Sequence, residues 1–143
     1  MFSKACEYAI KATIYIAKQS QHDQRVNVKE VAEAVNAPVA FTAKILQQLC
    51  RANILESVRG QQGGFIFTES HQKKVKIFDV VHLIDGNGIF TNCGLGLHQC
   101  SSENPCPVHD DFKLVRENLA MMTQKYSFFD LAQRTEHGLA WLK

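Results

Sequence analysis

The most informative stretch of the chain is residues 39–67, VAFTAKILQQLCRANILESVRGQQGGFIF. In its first part, Phe41, Ile45 and Leu49 recur at helical spacing and can pack on a core. In its second part, the apolar runs 54–58 and 65–67 favour short β-strands, and the glycine-rich segment between them favours a turn. The stretch therefore predicts a helix over about 39–52 followed by a β-hairpin.

Two further helices are predicted upstream of this stretch, over about 2–19 and 28–35. In the second of them Asn27 can cap the first turn, and Glu30 is placed to complete a capping box. Three helices followed by a two-stranded wing are typical of a winged helix-turn-helix module. The predicted fold is mainly α with a small β-hairpin wing, and a long helix follows near the C-terminus.

A winged module places its third helix in the major groove of DNA. The face of this helix opposite the core carries Lys44 and Gln47, which are long enough to reach base edges or phosphates. In the wing, Arg59 lies beside glycines and can enter a narrow minor groove. A solvated helix face is the alternative, and the wing favours DNA. The predicted DNA-contacting residues are Val39, Ala40, Thr42, Ala43, Lys44, Gln47, Gln48, Arg51, Arg59 and Gln61.

Composition and charge agree with such a module. The chain has 143 residues, of which 45% are hydrophobic, so it can bury a core. Residues 1–78 contain 11 basic and 6 acidic residues, whereas residues 79–143 contain 5 and 8, and a basic first half suits an anionic partner. The sequence contains neither a signal peptide nor an apolar run of roughly 18 residues, so we expect a cytoplasmic protein without a membrane partner.

Three cysteines lie in one irregular segment, at Cys93, Cys100 and Cys106, and His109 follows closely. Cytoplasmic cysteines are more often thiols or metal ligands than disulfides, and three soft ligands in one loop indicate a metal or iron–sulfur site. Cys106 begins the last long helix, so His109 falls near it on the first turn. The gaps between the cysteines are wider than in structural zinc knuckles, which favours a cluster. Zinc and three unrelated thiols remain alternatives.

The predicted helix over about 108–126 carries a coiled-coil-like seam, in which apolar residues recur in steps of four and three. The seam residues are Val108, Phe112, Val115, Leu119 and Met122. Together with a helix over about 77–84, this organisation predicts three units. They are a DNA-binding domain over 1–84, a cysteine-bearing loop over 85–107, and a helix with a C-terminal tail over 108–143.

The chain resembles the Rrf2 family of bacterial transcription regulators, which includes IscR and NsrR, over nearly its whole length. The resemblance rests on Tyr8-Ala9, Lys44-Ile-Leu-Gln-Gln-Leu49, Ser57-Val-Arg-Gly-Gln-Gln-Gly-Gly64, Phe78-Asp-Val-Val-His-Leu-Ile84, the three-cysteine loop and Phe129-Asp-Leu-Ala132. It implies a homodimer that is joined through the long helix and binds a palindromic operator in double-stranded DNA.

The resemblance also implies an iron–sulfur cluster on the three cysteines. IscR-like members use a histidine three residues after the last cysteine, where His109 stands. NsrR-like members use an acidic residue in helix one of the other subunit, where Glu7 stands. Histidine is a common cluster ligand and is already local, which favours a 2Fe–2S cluster over a 4Fe–4S cluster.

These observations predict a transcription regulator, with repression the favoured mode, that senses redox state, nitric oxide or cluster supply. A change in the cluster would alter how two recognition helices fit their half-sites. The alternatives are a winged regulator with structural zinc, and a metal-free sensor of thiols or metabolites. No combination of nucleophile and base points to an enzyme.

Overall fold

The computed structural model describes residues 1–142, and these form eight helices and one two-stranded sheet. The elements are α1 (Lys4–Ser20), α2 (Val28–Val35), α3 (Val39–Arg51), β1 (Glu56–Val58), β2 (Gly64–Ile66), α4 (Glu69–Gln72), α5 (Ile77–Asp85), α6 (Gly88–Thr91), α7 (His109–Lys125) and α8 (Phe128–Glu136). The mainly helical class with a hairpin wing is confirmed. The sequence did not predict α4 or α6, and α6 lies in a segment expected to be irregular.

Helix α1 is the centre of the core and packs against α2, α5 and α8. Its small residues Ala9 and Ala17 are fully buried, so neighbouring helices approach closely. Helix α2 begins with the predicted capping box, in which Asn27 accepts from the Glu30 N–H and Glu30 accepts from the Asn27 N–H. Helices α2 and α3 pack on each other and on α1, so the outer face of α3 lies in solvent.

The wing is an antiparallel pair in which Glu56 lies opposite Ile66 and Val58 opposite Gly64. A bridge between Val26 and Phe65 extends this pair to the loop before α2. A Cβ on Gly63 would clash with the Val58 carbonyl oxygen, so the wing turn closes too tightly for a side chain there. The wing is therefore fixed to the helical core.

Helix α8 packs back onto the first half of the chain. Phe128 is fully buried, and its ring centroid lies 5.8 Å from that of Phe67, which precedes α4. The predicted unit 108–143 therefore combines two different environments: α8 shares the core of residues 1–84, and α7 is the element that exposes apolar side chains. No helix in residues 1–142 is both long and apolar enough to cross a membrane.

Candidate metal centre and nucleic-acid interface

The sulfur atoms of Cys93, Cys100 and Cys106 all lie within 4.8 Å of one another. The Cys93 and Cys106 Sγ atoms are 3.7 Å apart. His109 Nδ1 lies 3.2 Å from the Cys100 Sγ. The structure thus brings the three predicted cysteine ligands together and places His109, the predicted fourth ligand, against one of them, Cys100.

The backbone of the cysteine-bearing loop sets this arrangement. The Gly96 N–H donates to the Cys93 carbonyl at 2.9 Å, with Gly96 at a φ of +72°, and this turn folds the loop back on Cys93. The Cys106 N–H donates to the Cys100 Sγ at 3.4 Å. The His109 N–H donates to the Cys106 carbonyl at 3.1 Å, so the turn into α7 holds the histidine beside the sulfurs.

Local hydrogen bonds favour the ionised form of one of the three thiols, Cys93. Backbone hydrogen bonds from Leu97 and Leu95 lower the pKa of Cys93 to about 7. A hydrogen bond from the Val108 N–H favours the thiolate of Cys106, but desolvation and the neighbouring thiols outweigh it and raise its pKa. Near neutral pH the group therefore offers a thiolate at Cys93, and a bound metal would displace the protons of the others.

The donor set fits a thiophilic metal. Three sulfurs and one imidazole nitrogen suit zinc or iron–sulfur chemistry better than magnesium or calcium, which prefer oxygen. Tetrahedral zinc with Zn–S bonds of about 2.3 Å separates its sulfurs by about 3.8 Å. The Cys93 and Cys106 sulfurs lie 3.7 Å apart, close to that ideal separation.

The remaining candidates on α1 and α3 lie outside this thiol group. Glu7 pairs with the Lys4 ammonium at 2.7 Å, and its predicted role on the other subunit's cluster remains a prediction. Cys6 is buried, and desolvation together with Asp85 raises its pKa to about 12. Burial also raises the pKa of Cys50. Both thiols lie in helices among apolar neighbours and act as small packing residues.

The outer face of α3 presents most of the predicted DNA contacts to solvent. The exposed members are Val39, Ala40, Lys44, Gln47, Gln48 and Arg51, while Ala43 is half-buried. Thr42 differs from the prediction that it contacts DNA. It is 1% exposed and its hydroxyl donates to the Pro38 carbonyl at 2.9 Å, so it supports the helix start and does not face DNA.

Phe41, also on α3, is more exposed than its place in the apolar pattern predicted. Its ring was expected to hold the helix on the core, but it remains 37% exposed. It meets the Tyr8 ring edge-on, with the centroids 5.8 Å apart. Periodicity placed Phe41 on the apolar side, but that side ends at Tyr8, on the rim of the core.

The wing exposes Arg59 and Gln61 as expected. A third polar residue lies beside them that sequence reasoning missed. Arg25 donates to the Gln62 carbonyl at 3.3 Å, across the bridge that joins Val26 to Phe65. Its position could not be found from the sequence because a two-residue bridge leaves no periodic signal.

The exposed apolar stripe of α7 differs from the predicted seam. Val115 and Met122 are exposed as expected, and Leu114 and Met121, which the seam omitted, are 60% and 63% exposed. The other seam residues face their own chain or begin the helix: Phe112 packs on Gly94, Leu119 is half-buried, and Val108 is the N-cap. The stripe is therefore rotated by roughly one residue around the helix from the predicted seam.

A family model described as an iron-dependent transcriptional regulator, Rrf2, matches residues 2–134. The chain belongs to the Rrf2 family. An HTH-type transcriptional regulator of Aquifex aeolicus is 31% identical over 141 residues, which cover 97% of this chain and 96% of that protein. The HTH-type transcriptional repressor NsrR of Streptomyces coelicolor is 25% identical over 114 residues, which cover 80% of this chain and 72% of that one.

The structure of T. potens IscR superimposes with a TM-score of 0.73, covering 99% of this chain and 92% of that one at 18% identity. At this identity the likeness concerns the fold, and it confirms the winged-helix architecture of the Rrf2 family. The Rrf2 relatives are transcription regulators, so the chain is a transcription regulator and not an enzyme.

Proposed function

We propose that this Rrf2-family chain is an iron–sulfur-dependent, sequence-specific DNA-binding repressor that acts in the cytoplasm. The observation that carries the proposal is the group of three sulfurs within 4.8 Å of one another, with His109 beside Cys100. Two comparisons support it: the Rrf2 model is described as iron-dependent, and the Streptomyces relative is named a repressor.

In this proposal Cys93, Cys100, Cys106 and His109 hold a 2Fe–2S cluster, with a 4Fe–4S cluster and Glu7 as the alternative. A bound cluster would supply redox chemistry and iron that reacts with oxygen or nitric oxide. The protein's own contribution is to orient the ligands. The backbone N–H groups of Leu95 and Leu97 stabilise the Cys93 thiolate, and the first turn of α7 fixes the histidine.

The cysteine-bearing loop is well placed to transmit a change in the centre. It connects α5, which packs on α1 and α3, to α7, which carries the exposed apolar stripe. Loss of the cluster would release Cys93, Cys100 and Cys106 from one another and change how the loop holds α7 against the winged unit. In a homodimer on a palindrome this would alter the spacing of two α3 helices over half-sites about 34 Å apart.

Purification without oxygen tests the proposal. We expect a coloured protein that contains iron and acid-labile sulfide, and a Cys93→Ser/Cys100→Ser/Cys106→Ser variant that is colourless. Cys50→Ser is the matched control, because this thiol lies outside the group, and it should retain the cluster. The affinities of holo and apo protein for a selected duplex, measured at one salt concentration, should differ. Equal affinities would contradict the switch.

Structural zinc is the second candidate, because three sulfurs and a nearby imidazole nitrogen are also a common ligand set of tetrahedral zinc. In that case the metal holds the loop and senses nothing. The oxygen-free protein would then be colourless and contain stoichiometric zinc. A protein that contains neither iron nor zinc would instead favour a thiol sensor, in which the low pKa of Cys93, about 7, makes it the reactive group.

A further inference from the structure

The loop between α1 and α2 is part of the wing. The Phe65 N–H donates to the Val26 carbonyl at 2.8 Å, and the Val26 N–H donates back at 3.5 Å. A Cβ on Gly64 would lie 2.6 Å from the same Val26 carbonyl oxygen, so the two backbones are in close contact. Residue 25 is therefore held in register with the wing turn and does not move independently of it.

The Arg25 side chain extends along this contact toward the tip of the wing. Its Nη1 donates to the Gln62 carbonyl at 3.3 Å, at the edge of a cleft of about 510 Å³ between the wing and the loop before α2. One bond to a carbonyl uses one of the five N–H donors of a guanidinium. The residue is exposed and lines the cleft together with Gln61.

The charges around Arg25 leave its cation available. Asp23 and Glu30 line the same cleft. Within residues 1–142, however, no carboxylate lies within ion-pairing distance of the guanidinium. Glu30 is engaged in the capping box, where it accepts from the Asn27 N–H at 2.7 Å. Arg25 and Arg59 are thus two exposed cations on one rigid wing.

We infer that Arg25 is a further DNA-contacting residue, which binds a backbone phosphate beside the wing and thereby positions the wing turn. The inference rests on the proposed DNA-binding function and adds a contact outside the α3 and wing-turn set. A guanidinium that is already oriented by a carbonyl matches phosphate geometry and loses little freedom when it binds. A phosphate contact carries no base preference.

The test uses fluorescence anisotropy with a labelled duplex of about 30 base pairs, long enough for two half-sites one turn apart, selected from a random pool by the wild-type protein. Arg25→Ala should weaken binding roughly 25- to 100-fold at 0.1 M salt, and the slope of log affinity against log salt should fall by about 1.8, the value for two phosphates, because each subunit of the dimer loses one contact. Arg25→Lys should recover most of the slope. Lys74→Ala, an equal loss of charge at an exposed residue after α4, should leave both unchanged.

The outcomes separate this inference from the function on which it rests. If Arg59→Ala weakens binding and Arg25→Ala leaves the salt slope at the wild-type value, the Arg25 contact is wrong and the proposed function stands. If the wild-type protein selects no duplex, both are wrong. A thermal midpoint unchanged by Arg25→Ala would show that a loss of affinity does not come from unfolding of the wing. An unchanged slope with a lowered midpoint would assign Arg25 a structural role and overturn the contact.

Discussion

At the scale of single residues, an experiment can decide which of two side chains is the fourth ligand of the proposed metal centre. His109 lies 3.2 Å from the Cys100 sulfur, while Glu7 in the same chain is engaged with Lys4. We expect His109→Ala to change the absorption and electron paramagnetic resonance spectra of the anaerobic protein, because it removes a local nitrogen ligand. Glu7→Gln, the matched variant for the alternative, should leave both spectra as they are. The reverse result would favour an acidic ligand from the other subunit.

Lys44 on α3 gives a second residue-scale prediction. It is exposed on the face that a winged module turns toward the major groove. Lys44→Ala should cost about 1–3 kcal/mol in operator affinity and relax the preference at one base pair if the ammonium reaches a base edge. Binding to a panel of single-base operator variants measures this, with Lys74→Ala, an exposed lysine after α4, as the control. A uniform loss over all operators would instead assign Lys44 to a phosphate.

At the scale of elements, the cap of α8 connects the C-terminal helix to the core. The Ser127 hydroxyl and backbone N–H lower the pKa of Asp130 below its usual range. A lowered pKa in the folded state stabilises the fold above the unfolded value, near 4, and this contribution is lost as the pH falls through the folded value. Ser127→Ala should reduce the free energy of unfolding by about 1 kcal/mol at pH 7, with a smaller difference below pH about 4.

Chemical denaturation of the metal-free protein at several pH values measures this effect. Ser70→Ala is a suitable control, since Ser70 is exposed on α4. The control should change the stability little at any pH. If the effect of Ser127→Ala stayed constant from pH 7 down to acid, the Asp130 carboxylate would not be the partner that matters.

The elements also show what the sequence can and cannot predict. Helices α1, α2, α3 and α7 were predictable because each repeats its apolar residues over two or more turns. Helices α4 and α6 span four residues each, which is too short for a period to emerge. The members of the thiol group were predictable from residue type, but their distances were not, because turns at Gly96 and Cys106 set them. The prediction for Thr42 was wrong because helical spacing places it on the same face as the buried residues Ile45 and Leu49.

At the scale of the whole molecule, α8 packs on the core of the winged unit. Helix α7, in contrast, exposes an apolar surface that no other part of residues 1–142 covers. Leu114, Val115, Met121 and Met122 are between 43% and 63% exposed and lie seven residues apart in pairs. Asn118 lies between the pairs on the same side of the helix. A heptad repeat with a central asparagine is typical of a helix that pairs with another copy in a fixed register.

This surface predicts how the assembly responds to a single charge. Leu114→Glu should shift the protein from dimer to monomer, because two carboxylates would be brought together at an apolar contact. Gln124→Glu adds the same charge on the other side of α7 and should leave the dimer intact. Sedimentation velocity measures both. A monomeric Leu114→Glu variant should also lose operator affinity, because each half-site then binds alone and the effective concentration of the second module is lost. A variant that stayed dimeric would place the interface elsewhere, and the predicted seam through Phe112 and Leu119 would then be tested in the same way.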